Sequence, residues 1–138
     1  MGDLDRRQVT LQRFFRWVAI ATFILTAVQP VLGGFGTYRP ADDFDYTAVH
    51  GMIANILFPL ALVLFGLAFV AGFKQRFVMG AWTFGLLALV VSQIGIGYSA
   101  RNDVQLLAYH IPAGVAIFGI ALMVMLIAIG VRFERDSA

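Results

Sequence analysis

The stretch AVHGMIANILFPLALVLFGLAFVAGF, residues 48–73, decides the fold, because it contains no Asp, Glu, Lys or Arg. About 20 apolar helical residues are enough to cross the hydrocarbon core of a bilayer. In lipid every backbone amide must be hydrogen-bonded within the spanning segment, so the run predicts a transmembrane helix rather than a strand. His50, near its start, is the one titratable side chain that the run holds.

Three other runs share this apolar character. The chain has 138 residues, of which 60% are hydrophobic and 13% are charged, whereas charged residues make up about a quarter of a soluble domain. The sequence therefore predicts an all-α, integral membrane four-helix bundle that forms one domain over residues 1–138. Its predicted spans are about 17–35, 48–73, 77–98 and 106–131.

The segment before the first span, Leu4–Arg16, is amphipathic and basic. Such a segment is either a short helix that lies at the membrane interface or a frayed flank that only sets orientation. Both interpretations stay open from the sequence, and both place the segment outside the first span.

The distribution of lysine and arginine predicts the orientation of the bundle. Eight of the ten basic residues flank the spans on one side, namely Arg6, Arg7, Arg13, Arg16, Lys74, Arg76, Arg132 and Arg135. Only Arg39 and Arg101 lie on the other side, where four aspartates are also found. The positive-inside rule therefore predicts that the N-terminus, the C-terminus and the middle loop are cytoplasmic. This asymmetry explains the net charge of +2 without nucleic-acid binding.

Several kinds of chemistry are excluded or disfavoured by composition. The chain has no cysteine, which excludes disulfides, thiolate metal sites and a cysteine nucleophile. No Asp or Glu falls within a predicted span, which argues against a dicarboxylate site or a proton relay through carboxylates. Sequence motifs of nucleotide binding and of serine hydrolases are missing as well.

The two halves of the sequence resemble each other. The first half contains Gln29-Pro-Val-Leu-Gly33 and His50-Gly-Met-Ile-Ala54, and the second contains Gln93-Ile-Gly-Ile-Gly97 and His110-Ile-Pro-Ala-Gly114. Each glutamine precedes its glycine by four residues, and precedes its histidine by 21 residues in one half and 17 in the other. Both halves run outward and then inward. They therefore predict two parallel two-helix repeats, related by an axis along the membrane normal.

His50 and His110 are the only histidines in the chain, and the repeat places them at equal depth on the second and fourth helices. An ionisable residue inside a membrane is costly and marks a candidate functional site. Neutral imidazole is a common metal ligand, and helix bundles hold cofactors between facing helices. We therefore expect the two imidazoles to face each other across the bundle, where they could bind the iron of one haem.

Small and polar residues surround each histidine and suggest room for a flat ring. The full set of predicted cofactor-binding residues is His50, His110, Gln29, Gln93, Arg39, Arg101, Gly33, Gly97, Ala54 and Gly114. The glycines and alanine would let a ring approach the backbone, and the amides would orient the imidazoles or meet carboxylates. The two arginines would pair with haem propionates, since guanidinium binds carboxylates well.

Each of these features has a plainer interpretation that the sequence leaves open. A membrane histidine or glutamine also serves to hydrogen-bond another helix, and Gly and Ala also serve helix packing. The arginines equally fit interface anchors or partners of the nearby aspartates. A metal without a porphyrin is disfavoured, because two histidines alone make a poor zinc or non-haem iron site. The occurrence of these features in matched pairs favours the haem.

The duplicated pattern, Gln-x3-Gly on one span and a histidine at the head of the next, resembles one four-helix half of the haem A synthase family. The stretches Val28–Gly36 and Asp43–Gly51 also resemble a small bacterial family of four-span proteins. The resemblance covers nearly the whole chain. It implies that His50 and His110 are the axial ligands of one haem b near the outer face of a bacterial inner membrane.

The chain departs from the catalytic half of that family. It has no Glu and no His-Arg pair near His50, no cysteine pair and no second four-helix half. The resemblance therefore implies a cytochrome b-like protein for electron transfer or haem handling rather than an enzyme. The alternatives are a cofactor-free accessory subunit and a haem-modifying enzyme related to haem A synthase. Expected partners are the lipid bilayer, a redox partner, a quinone, a larger membrane complex or a second copy, and no nucleic acid.

Overall fold

A computed structural model of the chain describes residues 3–38 and 44–130, and it is built from helices. The four long helices are α1 (Asp3–Tyr38), α2 (Tyr46–Val70), α3 (Arg76–Ser99) and α4 (Leu107–Gly130), with a short 3-10 turn at Val104–Leu106. Each long helix has the length and apolar character needed to cross a bilayer. The prediction of an all-α, multi-pass membrane protein is confirmed.

Two predicted boundaries differ from the observed helices. The segment Leu4–Arg16 is neither frayed nor a separate helix, because α1 begins at Asp3 and continues without a break. The second span ends at Val70 rather than at Phe73, because Gly72 adopts a positive φ of 72° that turns the chain towards α3. The end of the fourth span, together with Arg132 and Arg135, lies outside the described residues.

The two histidine-bearing helices begin behind aspartate caps. The Asp45 carboxylate accepts a hydrogen bond from the backbone N–H of Ala48 at 2.8 Å, which caps α2. The Asp103 carboxylate accepts one from the backbone N–H of Gln105 at 3.0 Å, at the start of the 3-10 turn that leads into α4. Such caps satisfy amide groups that have no partner within the helix. They also fix where α2 begins and where the turn before α4 begins.

The helices pack as a ring in which each contacts its two neighbours in the order α1, α2, α3 and α4. Within the described residues, the diagonal pairs α1–α3 and α2–α4 make no close backbone approach. We call the end where α1 and α3 finish and where α2 and α4 start the histidine end. The other is the opposite end.

Tight packing is confined to the half of the bundle nearer the opposite end. Towards the histidine end, the buried side chains stop at one level on all four helices, formed by Thr26, Leu57, Val90 and Ile117. Beyond that level none of the described side chains is fully buried. One half is therefore a close-packed core and the other half is open between the helices.

The long start of α1 covers the turn between α2 and α3. The ring of Phe15 meets that of Phe73 edge-on, with 5.0 Å between centroids. The side-chain amide of Gln12 donates to the carbonyl of Ala71 at 3.0 Å. A Cβ added to Gly72 would lie 2.7 Å from Gln8. This close contact explains why the first helix extends beyond the length needed to span a bilayer.

We predict that Phe15→Ala destabilises the protein by about 3–5 kcal/mol, because the truncation leaves a cavity among side chains that cannot fill it. Phe15 is fully buried, whereas its neighbour Phe14 is 53% exposed. Phe14→Ala is the matched control, and it should leave stability within about 0.5 kcal/mol of the parent. Reversible unfolding in mixed micelles would measure both variants. Equal losses for the two would contradict the assignment of the core.

Candidate functional site

His50 and His110 lie together inside the histidine end of the bundle. Their ring centroids are 6.1 Å apart and the ring planes are inclined by 58°. They belong to the diagonal helices α2 and α4, so the two rings bridge a gap that the backbones leave open. A metal with bonds of about 2.0 Å to one nitrogen of each imidazole would hold the ring centres roughly 6 Å apart. The predicted approach of the two histidines is confirmed; their role as ligands stays a prediction.

The backbone of α1 orients the His50 ring. Its Nδ1 lies 3.2 Å from the carbonyl oxygen of Gln29. A carbonyl only accepts hydrogen bonds, so Nδ1 carries the proton and Nε2 carries the lone pair. This arrangement is typical of histidines that bind metals through Nε2. The matching Nδ1 of His110 is buried and has no hydrogen-bond partner in the described part of the chain.

The two glutamines connect neighbouring helices rather than orienting the imidazole rings. Gln29 Nε2 donates to the carbonyl of His50 at 3.2 Å, and Gln93 Nε2 donates to the carbonyl of His110 at 2.7 Å. The alternative of a bond between helices is therefore confirmed, and the expected contact of these amides with carboxylates stays a prediction. Both Oε1 atoms are buried and lack a partner among the described residues. Such acceptors call for a donor from water or from a ligand.

Two glycines make space for the imidazoles. A Cβ added to Gly33 would lie 3.3 Å from Cε1 of His50, and one added to Gly97 would lie 3.0 Å from Cε1 of His110. A Cβ on Gly114 would lie 3.3 Å from Nε2 of Gln93. Side chains of neighbouring helices therefore lie directly against these glycines, whereas the sequence suggested that a macrocycle would lie against them.

A cavity of about 650 Å³ opens between the four helices at this end. This volume falls within the range of about 300–1,000 Å³ that is typical of small-molecule sites. Thr26, Leu57, Val90 and Ile117, the last level of the packed core, form its floor. Nine of the ten predicted residues line it, namely His50, His110, Gln29, Gln93, Arg101, Gly33, Gly97, Ala54 and Gly114. The tenth, Arg39, lies outside the described residues.

The cavity lining is made of paired positions. Each lining residue of α1 has a counterpart 64 positions later, on α3 or in the turn that follows it, as Thr26 has Val90 (90 − 26 = 64). From α2 to α4 the spacing is 60, as from His50 to His110 (110 − 50 = 60). The two halves of the sequence therefore contribute equivalent positions to one cavity.

Arg101 lies at the rim of the cavity, and its guanidinium carbon is 4.9 Å from the centre of the Tyr98 ring. Tyr98 in turn accepts a hydrogen bond from the side-chain amide of Asn55 at 3.4 Å. Sequence reasoning missed Asn55 and Tyr98. A polar asparagine inside the apolar run 48–73 was a signal that could have found the first of them.

The residues at the cavity fit a haem held by two histidines. The donor set is a pair of imidazoles at the separation that one metal between them requires, and a guanidinium lies at the rim. Within the described ranges, no group of three His, Cys, Asp or Glu side chains is placed to hold a bare metal ion. A porphyrin supplies the remaining four ligands itself, so two histidines suffice for it.

Comparison of the chain with protein-family models, with curated proteins and with solved structures finds no match. The resemblance to one half of haem A synthase therefore stays a prediction. Fold and site define a class: a multi-pass membrane four-helix bundle with a cavity between two facing histidines. What the cavity binds must be inferred from its geometry.

We predict that Gly97→Leu displaces the His110 ring and destabilises the protein by about 1–3 kcal/mol, because the new side chain overlaps the imidazole. Gly95→Leu is the matched control, since nothing lies within 4 Å of a Cβ added there. Unfolding in mixed micelles measures stability, and the histidine resonances in an NMR spectrum report the ring. Identical spectra for Gly97→Leu and the parent would refute the contact between His110 and Gly97.

Proposed function

We propose that this protein is a b-type cytochrome-like membrane protein that binds one haem b through His50 and His110. The observation that supports the proposal is the pair of imidazoles, with centroids 6.1 Å apart, beside a cavity of about 650 Å³. Both features lie in the open half of a bundle whose other half is fully packed.

In this proposal, each residue of the site has a defined task. His50 and His110 are the axial ligands, and the backbone carbonyl of Gln29 sets which nitrogen of His50 is available. The amides of Gln29 and Gln93 hold the histidine-bearing turns against α1 and α3. Arg101 at the rim would pair with a propionate, because guanidinium–carboxylate pairs are strong hydrogen-bonded contacts. Arg39, which precedes the helix of His50 in the sequence as Arg101 precedes that of His110, is proposed for the second propionate.

A bound haem would supply one-electron chemistry, and two histidine ligands would leave no open position on its iron for substrate or oxygen. This favours electron transfer or haem handling over catalysis. A redox protein, a quinone, a larger membrane complex or a second copy of the chain are the partners that such a role requires. The bacterial inner membrane is the proposed location.

We also propose that the bundle arose from two parallel two-helix repeats. The equal spacings between paired lining residues support this origin, since α1 maps onto α3 and α2 maps onto α4 without a gap inside the cavity. The matched hydrogen bonds from glutamine to histidine carbonyl support it as well. The repeat would place haem on a pseudo-two-fold axis.

The proposed orientation has both termini and the α2–α3 turn in the cytoplasm. Six basic residues belong to the described part of the opposite end, namely Arg6, Arg7, Arg13, Arg16, Lys74 and Arg76. At the histidine end the described charged residues are Asp45, Arg101 and Asp103. Cytoplasmic loops carry the excess of Lys and Arg, which favours the cytoplasmic side for the opposite end. The haem would then lie near the extracytoplasmic face.

We predict that the purified protein shows the reduced-minus-oxidised visible spectrum of a bis-histidine haem b. His50→Ala and His110→Ala should each abolish stable binding or give a five-coordinate spectrum, because one axial ligand is lost. The matched controls are Met52→Ala and Tyr109→Ala, which remove exposed neighbours on the same helices outside the cavity lining. They should leave the spectrum unchanged.

The same preparation separates the alternatives. A folded, colourless protein that does not take up added haemin would overturn the proposal in favour of an accessory subunit. A porphyrin other than haem b in the mass spectrum of the bound pigment would instead favour a haem-modifying enzyme. Unchanged spectra in both histidine variants would show that the haem binds at another site.

The orientation is testable because the chain has no cysteine, so that single cysteines can be placed cleanly. We predict that Asn102→Cys, in the exposed turn at the histidine end, reacts with a membrane-impermeant maleimide in intact spheroplasts. Lys74→Cys, in the exposed turn at the opposite end, should react only after the membrane is permeabilised. The reverse pattern would show that the bundle is inserted the other way round.

A further inference from the structure

Among the paired positions of the cavity lining that differ, three place an Asn, Tyr or Arg side chain on one side of the cavity. The pairs are Asn55 with Val115, Tyr98 with Gly34, and Arg101 with Thr37. In each of these pairs the side chain with the greater hydrogen-bonding capacity belongs to α2, to α3 or to the turn that follows α3. Their counterparts Val115, Gly34 and Thr37 belong to α4 and α1. The difference is therefore not a requirement of packing a four-helix ring.

The three polar side chains form one connected group, which we call the seam cluster: Asn55, Tyr98 and Arg101. Asn55 Nδ2 donates to the Tyr98 hydroxyl oxygen at 3.4 Å. The Arg101 guanidinium lies over the Tyr98 ring, 4.9 Å from its centre. It also lies 3.8 Å from the position of a Cβ on Gly51 of α2. The cluster thus bridges α2 and α3 beside the cavity.

The seam cluster presents an unused donor next to an unused acceptor. The Tyr98 oxygen accepts from Asn55, so its own hydrogen is available, and the carbonyl oxygen of the Asn55 side chain has no donor among the described residues. Asn55 is exposed, and Tyr98 is 49% exposed. The hydrogen-bonding groups are therefore accessible to a ligand.

The surroundings of Asn55 indicate that a partner would arrive from the hydrocarbon region. Its exposed neighbours on α2 are apolar, with Met52 63% and Ile56 47% exposed. It lies nine residues after Tyr46, the first residue of α2, which is about 13 Å along the helix axis. Polar groups left unpaired in lipid are costly. A phosphate would lose its hydration there at high cost, whereas a neutral carbonyl would not.

We propose that the seam cluster binds the head ring of a lipid-soluble quinone at the α2–α3 seam. The Tyr98 hydroxyl would donate to a ring carbonyl, and the Asn55 carbonyl would accept from the hydroxyl of the reduced form. Both the quinone and the quinol form of such a ring can therefore hydrogen-bond to the seam cluster. This inference rests on the proposed function for its purpose, because the ring would lie beside the proposed haem. Quinone binding itself is measured separately from haem binding.

The test measures binding of decylubiquinone to the purified full-length protein in nanodiscs of neutral lipid. We expect saturable binding, and an increase of about tenfold in Kd for Tyr98→Phe, which removes one hydroxyl and keeps the ring under Arg101. Tyr109→Phe is the matched control, because it removes the hydroxyl of a 68% exposed tyrosine outside the cavity lining. It should leave Kd unchanged. Asn55→Val, which copies Val115 of the other seam, should weaken binding similarly.

The outcomes distinguish this inference from the haem proposal. Absence of saturable binding, or equal Kd values for Tyr98→Phe and the parent, overturns the quinone site even where haem bands are present. Weakened binding in Tyr98→Phe supports the site even in a preparation without haem bands. Nanodiscs with anionic lipid form a third arm. If the parent shows no saturable quinone binding in neutral lipid but binds anionic lipid more tightly than Tyr98→Phe does, the cluster binds a phosphate headgroup and the quinone proposal is wrong.

Discussion

The histidine end depends on two hydrogen bonds between helices, from the amides of Gln29 and Gln93 to the carbonyls of His50 and His110. In lipid no hydrophobic force draws apolar helices together, so packing and polar contacts set their register. Here each bond fixes the first turn of a histidine-bearing helix against its neighbour. Because one residue on a helix corresponds to a rotation of about 100°, a slip of one position would turn the imidazoles away from each other.

Stability and the candidate site occupy different halves of the bundle. The half nearer the opposite end is close-packed, up to the level of Thr26 and Leu57, and the long start of α1 closes it with Phe15. The other half keeps its helices apart, and imidazoles from the next helix occupy the space beside small residues such as Gly33 and Gly97. The close-packed half therefore sets the spacing between the helices, and this division leaves room for a cavity of about 650 Å³ in so short a chain.

Paired positions and their exceptions carry different information. Where the pairs match, as for the histidines and glutamines, they support a shared ligand on the axis of the bundle. Where they differ, as for Asn55 and Val115, one side acquires hydrogen-bonding groups that a symmetric bundle does not need. The proposed haem and the proposed quinone site thus follow from two separate properties of one cavity lining.

The sequence by itself determined the four spans, since an apolar run such as 48–73 has one stable form in lipid. It also predicted nine of the residues that line the cavity, because spacing along a helix decides which residues share a face. It did not determine that the glutamine amides bind histidine carbonyls, or that Tyr98 meets Asn55, 43 residues away in the chain. Those contacts depend on how helices are rotated and shifted against each other, and only tertiary packing decides that.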